Sequence, residues 1–166
     1  MMETNFIIRT KRAVRNFTDQ AVTAEDQMTI LEAGRRAPSA MNRQPWSFVA
    51  VTERARLETL AGISGHSAHL AGAAFAVLIL IPEGHWPVFD AGQAAAYMQL
   101  AAWDRGIASC VGSFVDPVAV RDILGYPPEL SPVCCISFGY PLQAAEGPAR
   151  KGGRKSLEEI AHWNSW

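Results

Sequence analysis

Eight of the chain's fifteen Lys and Arg residues fall in two short stretches. Arg9, Lys11, Arg12 and Arg15 lie near the start, and Arg150, Lys151, Arg154 and Lys155 near the end. The formal net charge over 166 residues is only −1, so no broad polyanion-binding surface is expected, and neither nucleic acid nor a membrane is expected as a partner. A neutral chain with cations gathered at both ends could hold one anion between them, because Arg and Lys match a phosphate through charge-assisted hydrogen bonds. The stretch Lys11-Arg12-Ala13-Val14-Arg15-Asn16-Phe17 alternates charge with small or apolar residues. Taken alone, it reads either as a solvated basic edge or as one wall of an anion site.

A second group is the loop Ala37-Pro38-Ser39-Ala40-Met41-Asn42-Arg43-Gln44-Pro45-Trp46. Its two prolines bracket Ser, Asn and Gln side chains and lead straight into an apolar strand. Such a stiff loop offers hydroxyl and amide groups to a heterocycle rich in donors and acceptors, although it also serves as an ordinary helix-to-strand connection. His66 and His69 stand at i, i+3, but no acidic ligand accompanies them; they read as surface or pocket groups, and no metal is expected. Cys110, Cys134 and Cys135 are odd in number and set in apolar stretches, which suits buried thiols in a reducing compartment. There is no G-x-G-x-x-G after a strand, no Walker P-loop, no G-x-S-x-G elbow and no H-E-x-x-H.

The elements that must position these groups follow from spacing. Thr23 with Glu25 and Asp26 predicts a helix N-terminus, and Pro38 ends that helix near Arg36. Trp46 to Val51 predicts a strand, Arg54 to Leu60 a short helix, and Phe75 to Ile81 the clearest strand. Asp90 to Arg105 predicts the longest helix, apolar all round because of Ala94-Ala95-Ala96 and Ala101-Ala102, so it needs cover on every side. Val111 to Val115 and Val133 to Phe138 predict further strands, with a helix from Asp116 to Leu124 between them and a terminal helix from Leu157 to Trp163. Strict β-α-β alternation is absent, so an α+β fold is expected, as a single domain over 1–166. With no signal peptide and no apolar run of spanning length, a cytoplasmic location is expected.

The basic segment resembles the R-R-S-x-R-x-F of the nitroreductase family of FMN-dependent oxidoreductases, and the proline-bracketed loop resembles its A-P-S-x-x-N-x-Q-P-W-x-F. Gly106-Ile107-Ala108-Ser109-Cys110, Leu124-Gly125-Tyr126-Pro127, Phe138-Gly139-Tyr140-Pro141 and the ending Arg154 to Asn164 match in order. The resemblance spans nearly the whole chain and is closest to short-chain members. It implies a central, mainly antiparallel sheet flanked by helices, in an interlocked homodimer with a long central interface helix.

It also implies FMN as cofactor and NAD(P)H as co-substrate, with ping-pong reduction of a small electrophile such as a nitroaromatic or quinone. Lys11, Arg12, Ala13 and Arg15 would then contact the flavin, the first cations at its phosphate and Arg15 at the pyrimidine edge of the ring. Pro38, Ser39, Ala40 and Asn42 would reach it from the opposite subunit. Gly112 and Ser113 would lie near flavin N5, and Lys151 and Arg154 would complete the phosphate site. The chain departs from the family's Ser at Ala13, and holds His66 and His69 where relatives carry an Asn and a Lys. If those histidines reach the flavin, His69 would tune it with pH; otherwise they are a surface pair. Gly84 to Phe89 is the candidate substrate-facing loop, with Trp86 either stacking on substrate or simply packing. Other outcomes within the fold are a flavin-consuming, dehalogenating or biosynthetic enzyme; outside enzymes, a flavin-storage protein.

Overall fold

The computed structural model describes residues 3–63, 65–143 and 153–166. The aliphatic run after Ala74 forms β2 (Phe75–Pro82), which is buried along nearly its whole length. Alternate side chains of a strand point to opposite faces, and here both faces are covered. Phe75, Val77, Ile79 and Ile81 pack in one apolar cluster with Ile30, Ala94 and Met98. Ala76, Leu78 and Leu80 pack in a second cluster with Leu57, Leu60 and Val120. The β2 strand is therefore apolar without alternation because helices lie on both sides of it.

Four strands form one sheet in the order β1-β2-β4-β3, with β1 (Ser47–Val51), β3 (Ala108–Gly112) and β4 (Leu130–Gly139). Every neighbouring pair is antiparallel. The α+β expectation and the mainly antiparallel sheet are both met. Phe75 and Phe138 face each other across β2 and β4 and stack with ring centroids 4.8 Å apart.

The helices are α1 (Thr4–Thr10), α2 (Ala24–Arg35), α3 (Arg54–Gly62), α4 (His85–Asp104), α5 (Pro117–Leu124) and α6 (Leu157–Ile160). Thr23 caps α2 as its spacing implies, its hydroxyl accepting from the Asp26 amide at 3.1 Å. Asp116 caps α5 in the same way, accepting from the Ala119 amide at 2.9 Å, with Pro117 in the first turn.

Three expectations require correction. The segment Gly84 to Phe89 is helical rather than a loop: it opens α4, because Pro87 falls in the first turn, where its missing N–H costs nothing. The strand expected at Val111 to Val115 begins and ends three residues earlier, at Ala108–Gly112, because Gly106 (φ +72°) closes the turn after α4 and Ile107 enters the core at once. The terminal helix stops at Ile160, and Ala161 is already extended. No helix among the described residues is long and apolar enough to cross a membrane.

Phe138 is fully buried at the centre of the sheet. Phe138→Ala should cost about 3–5 kcal/mol, seen in urea titration as a lower midpoint with an unchanged slope.

Candidate functional site

Arg15 owes its position to backbone rather than to side-chain partners. The segment before it runs beside β3: Ala13 forms a parallel bridge with Ser109, and the Val14 amide donates to the Ser109 carbonyl at 3.0 Å. The segment after it runs beside the end of β4, where Thr18 N–H donates to the Tyr140 carbonyl at 2.9 Å and Leu142 N–H to the Asn16 carbonyl at 3.0 Å. Phe17 is buried and Val14 packs beside it. The alternation read from the sequence thus has a physical cause: the apolar members anchor the segment, and Arg15 stays at the mouth of a cavity.

That cavity, of about 570 Å³, is lined by Arg15, His66, His69, Gly112 and Ser113, together with Val133, Cys134 and neighbouring backbone. Its volume is within the range of small-molecule sites. The loop carrying the histidines is stitched to the end of β3: Gly65 bridges Phe114, and the His66 amide donates to the Ser113 carbonyl at 3.0 Å. Gly112 lets the two strands of chain meet. A Cβ there would stand 2.3 Å from the His66 carbonyl oxygen and 2.7 Å from His69 Nε2, so no other residue fits without moving backbone. Gly65 (φ +134°) is constrained in the same way, its Cβ position 2.7 Å from the Ser113 carbonyl oxygen.

His69 sits on a short 3-10 turn, Ala68–Leu70, and is buried. Its Nδ1 lies 2.7 Å from Ser137 Oγ, and its Nε2 is buried without a hydrogen-bond partner. Burial holds its pKa below the ordinary 6.5, the His66 carbonyl opposes that shift, and the charge of Arg15 adds to it. The imidazole is therefore neutral at pH 7. Cys134 stands on the cavity wall as a thiol that burial pushes up to about 11, so it offers no thiolate.

Lys11 and Arg12 lie just before the stitched segment. The Lys11 ammonium donates to the Gln99 side-chain oxygen on α4, and burial lowers its pKa, opposed by Cys110. Arg12 turns one guanidinium nitrogen onto the carbonyls of Arg9 and Lys11, at 2.8 and 3.0 Å, which caps α1. Its Nε is buried and unpaired. Buried donors nearly always have partners, so this one marks a place for an acceptor.

The loop after Pro38 is strained. Met41, Asn42 and Gln44 all adopt positive φ, between 49° and 55°, a cost that side chains must offset. The Asp90 carboxylate accepts from the Ala40 amide at 3.2 Å, and Ser39 Oγ accepts from the Gln44 amide at 2.9 Å. Gln93 donates to the Pro38 carbonyl at 3.3 Å. The loop is thereby fixed to the N-terminal half of α4, and none of Pro38, Ser39, Ala40 or Asn42 lines the cavity of its own chain.

A sequence model of the Nitroreductase family matches residues 8–79 and 64–140, which spans both the cavity and the strained loop. The chain belongs to the nitroreductase family. It is 36% identical over 174 residues to the oxygen-insensitive NADPH nitroreductase of Salmonella typhimurium, covering 93% of this chain and 71% of that one. It is 33% identical to an Archaeoglobus fulgidus protein provisionally named NADH dehydrogenase/NAD(P)H nitroreductase, covering 81% of this chain and 83% of that one. Its fold superposes on the solved structure of an FMN-dependent nitroreductase from Clostridium difficile with a TM-score of 0.87 at 26% identity, over 96% of this chain and 98% of the other.

Within this nitroreductase fold, one chain brings together five residues singled out from the sequence: Arg15, His66, His69, Gly112 and Ser113. Lys11, Arg12 and Ala13 lie directly upstream of Arg15. Arg154 is exposed and does not line the cavity, and Lys151 lies outside the described residues. Ser137, Gln99 and Asp90, which hold His69, Lys11 and the loop, were not singled out. Ser137 and Asp90 are polar residues in apolar elements, and that mismatch was the available signal.

Two outcomes test this geometry. Gly112→Ala should destabilise the protein by about 1–3 kcal/mol through overpacking, checked by chemical denaturation. His69 has a lower pKa folded than unfolded, so the unfolded chain binds more protons in that interval. The stability His69 contributes is whole above pH 6.5 and is lost as pH falls through the lower native pKa. The stability difference between wild type and His69→Gln should therefore change below pH 6.5 and be flat above it.

Proposed function

We propose that this protein is an FMN-dependent oxidoreductase that oxidises NAD(P)H and reduces nitroaromatic, quinone or similar electrophilic acceptors. The observation that carries the reading is the cavity itself. It has a cation fixed at its mouth, a buried unpaired nitrogen on its wall and, one turn of chain upstream, a buried unpaired Arg12 donor. These features fit a planar heterocycle joined to a phosphate. The names of its relatives support the same cofactor and reductant: an NADPH-flavin oxidoreductase in Vibrio harveyi, the NADPH nitroreductase of Salmonella typhimurium and the FMN-dependent enzyme of Clostridium difficile.

When bound, FMN supplies the two-electron chemistry, taking hydride from NAD(P)H and giving it to the acceptor. The chain supplies position and charge. Arg15 stabilises negative charge at the cavity mouth more than a neutral ring, and so favours the reduced state. Arg12, with Lys11 beside it and Lys151 and Arg154 from the second basic cluster, would hold the phosphate. Gly112, which has no side chain, leaves backbone bare on the cavity wall beside Ser113. No side-chain nucleophile is needed, and the protonated Cys134 provides no competing one. Since both substrates react with the same cofactor, they use one cavity in turn.

The reading includes a homodimer. Trp86, Val88, Phe89 and Tyr97 leave an apolar stripe exposed along α4, the helix to which the strained loop is fixed. A second copy on that stripe would cover it and carry Pro38, Ser39, Ala40 and Asn42 towards the opposite cavity. On α6 and beyond it, Leu157, Ile160, Trp163 and Trp166 are all exposed, which suits a segment that embraces a partner.

Purified protein reconstituted with FMN should show flavin absorbance and consume NADH or NADPH when a quinone or nitroaromatic is added. A colourless protein that takes up no FMN would contradict the proposal. Replacing Arg12 and Arg154 together by Ala should weaken FMN binding by several kcal/mol, at about 1.5–3 for each charged hydrogen bond, measured by fluorescence titration.

A further inference from the structure

His69 and Ser137 are joined by a contact that the flavin reading does not use, although the role assigned to the pair rests on that reading. Ser137 Oγ lies 2.7 Å from His69 Nδ1 and 3.4 Å from the Cys110 carbonyl oxygen, to which it donates. A hydroxyl has one proton. With that proton turned to Cys110, the oxygen accepts from His69, so the neutral ring carries its proton on Nδ1. Nε2 is then a bare lone pair, buried, unpartnered and on the wall of the cavity that Arg15 borders.

We propose that Ser137 is a positioning residue that holds His69 as the Nδ1–H imidazole, and that His69 Nε2 takes up a proton from solvent when negative charge develops in the cavity beside Arg15. The step is a proton transfer: an N–H bond forms at Nε2 as an O–H bond of hydronium breaks, and the imidazole neither gains nor loses electrons. The added positive charge on the wall offsets the negative charge placed on the cofactor by reduction.

The groups around the ring make this response selective. Arg15, from the segment before Phe17, disfavours a second positive charge, as burial does. The His66 carbonyl favours it, and the His66 imidazole shares the cavity wall. On β4, Cys134 and Cys135 are pushed up to about 11 and about 12 by burial, so neither thiol supplies an anion near neutral pH. The fixed groups together oppose protonation, and a new negative charge in the cavity acts against them.

The test uses the FMN-loaded protein with ¹⁵N-labelled histidine, and flavin absorbance first establishes uptake. In the oxidised state His69 should show the Nδ1–H tautomer, and on reduction by dithionite its pKa should rise by a unit or more. The flavin midpoint potential should fall more steeply with pH between those two pKa values in wild type than in His69→Gln. Ser137→Ala should mix the tautomers, and Ser137→Thr, which keeps the hydroxyl, should restore the single one. An Nε2–H ring in oxidised or flavin-free protein overturns the inference whatever the cofactor does. So does a His69 pKa unmoved by reduction, or a potential with the same pH slope in His69→Gln. Protein that takes up no FMN overturns the reading of the site as well.

Discussion

The contact on which the site depends is the approach of the His66 carbonyl to the Cα of Gly112. No Cβ fits between them, and the Ser113 carbonyl binds the His66 amide one residue further on. This pins the histidine loop to the end of β3. The 3-10 turn beyond it then brings His69 over β4, within reach of Ser137. The β3 and β4 strands are held in register from Ala108 opposite Gly139 to Gly112 opposite Cys135, so the two supports of the imidazole move as one body.

Charge at the site is set by backbone. Arg15 is exposed and has no ion-pair partner among the described residues, yet its place is defined by hydrogen bonds of its immediate chain neighbours on either side. An arginine held by an acidic partner would have its charge partly cancelled before any ligand arrived. One held by the main chain keeps its full charge for the cavity. The cysteines fit the same scheme, since burial keeps Cys134 and Cys135 protonated and leaves the wall free of negative charge.

Much of the fold was legible in the sequence because the signals were local. Thr23, Asp116 and the Phe75–Ile81 run specify their elements through caps and apolar content that neighbours do not override. The misreadings have one cause each. Gly84 to Phe89 was read as a loop, but its proline is as welcome in the first turn of a helix as in a turn between elements. Val111 and Val115 are β-branched, yet Val111 is exposed at the end of its strand and Val115 lies beyond it; the buried part of the strand is made of Ala, Ser and Cys, which carry little strand preference. The site was half legible. Arg15, Gly112 and Ser113 came from their match to a family pattern, and His66 and His69 from their place within it despite departing from its residues, whereas Ser137 and Asp90 act through pairings across 68 and 50 residues of chain that no local spacing encodes.

The strained loop gives the strongest reason to regard one chain as part of an active unit. Three residues outside glycine adopt left-handed backbone between Met41 and Gln44, each at a cost of order 1–3 kcal/mol. The buried Asp90 carboxylate and Ser39 are committed to holding that shape. A mere connection from α2 to β1 would have no use for it, because an unstrained turn could span the same gap. The loop does not line its own cavity, and it is fixed to the helix that carries the exposed Trp86, Phe89 and Tyr97. Strain kept at such a place has value only if the loop meets something there, and the apolar stripe beside it favours a second copy of the chain. Under the proposed homodimer, the shape of the loop would answer to the cavity of the opposite chain rather than to its own.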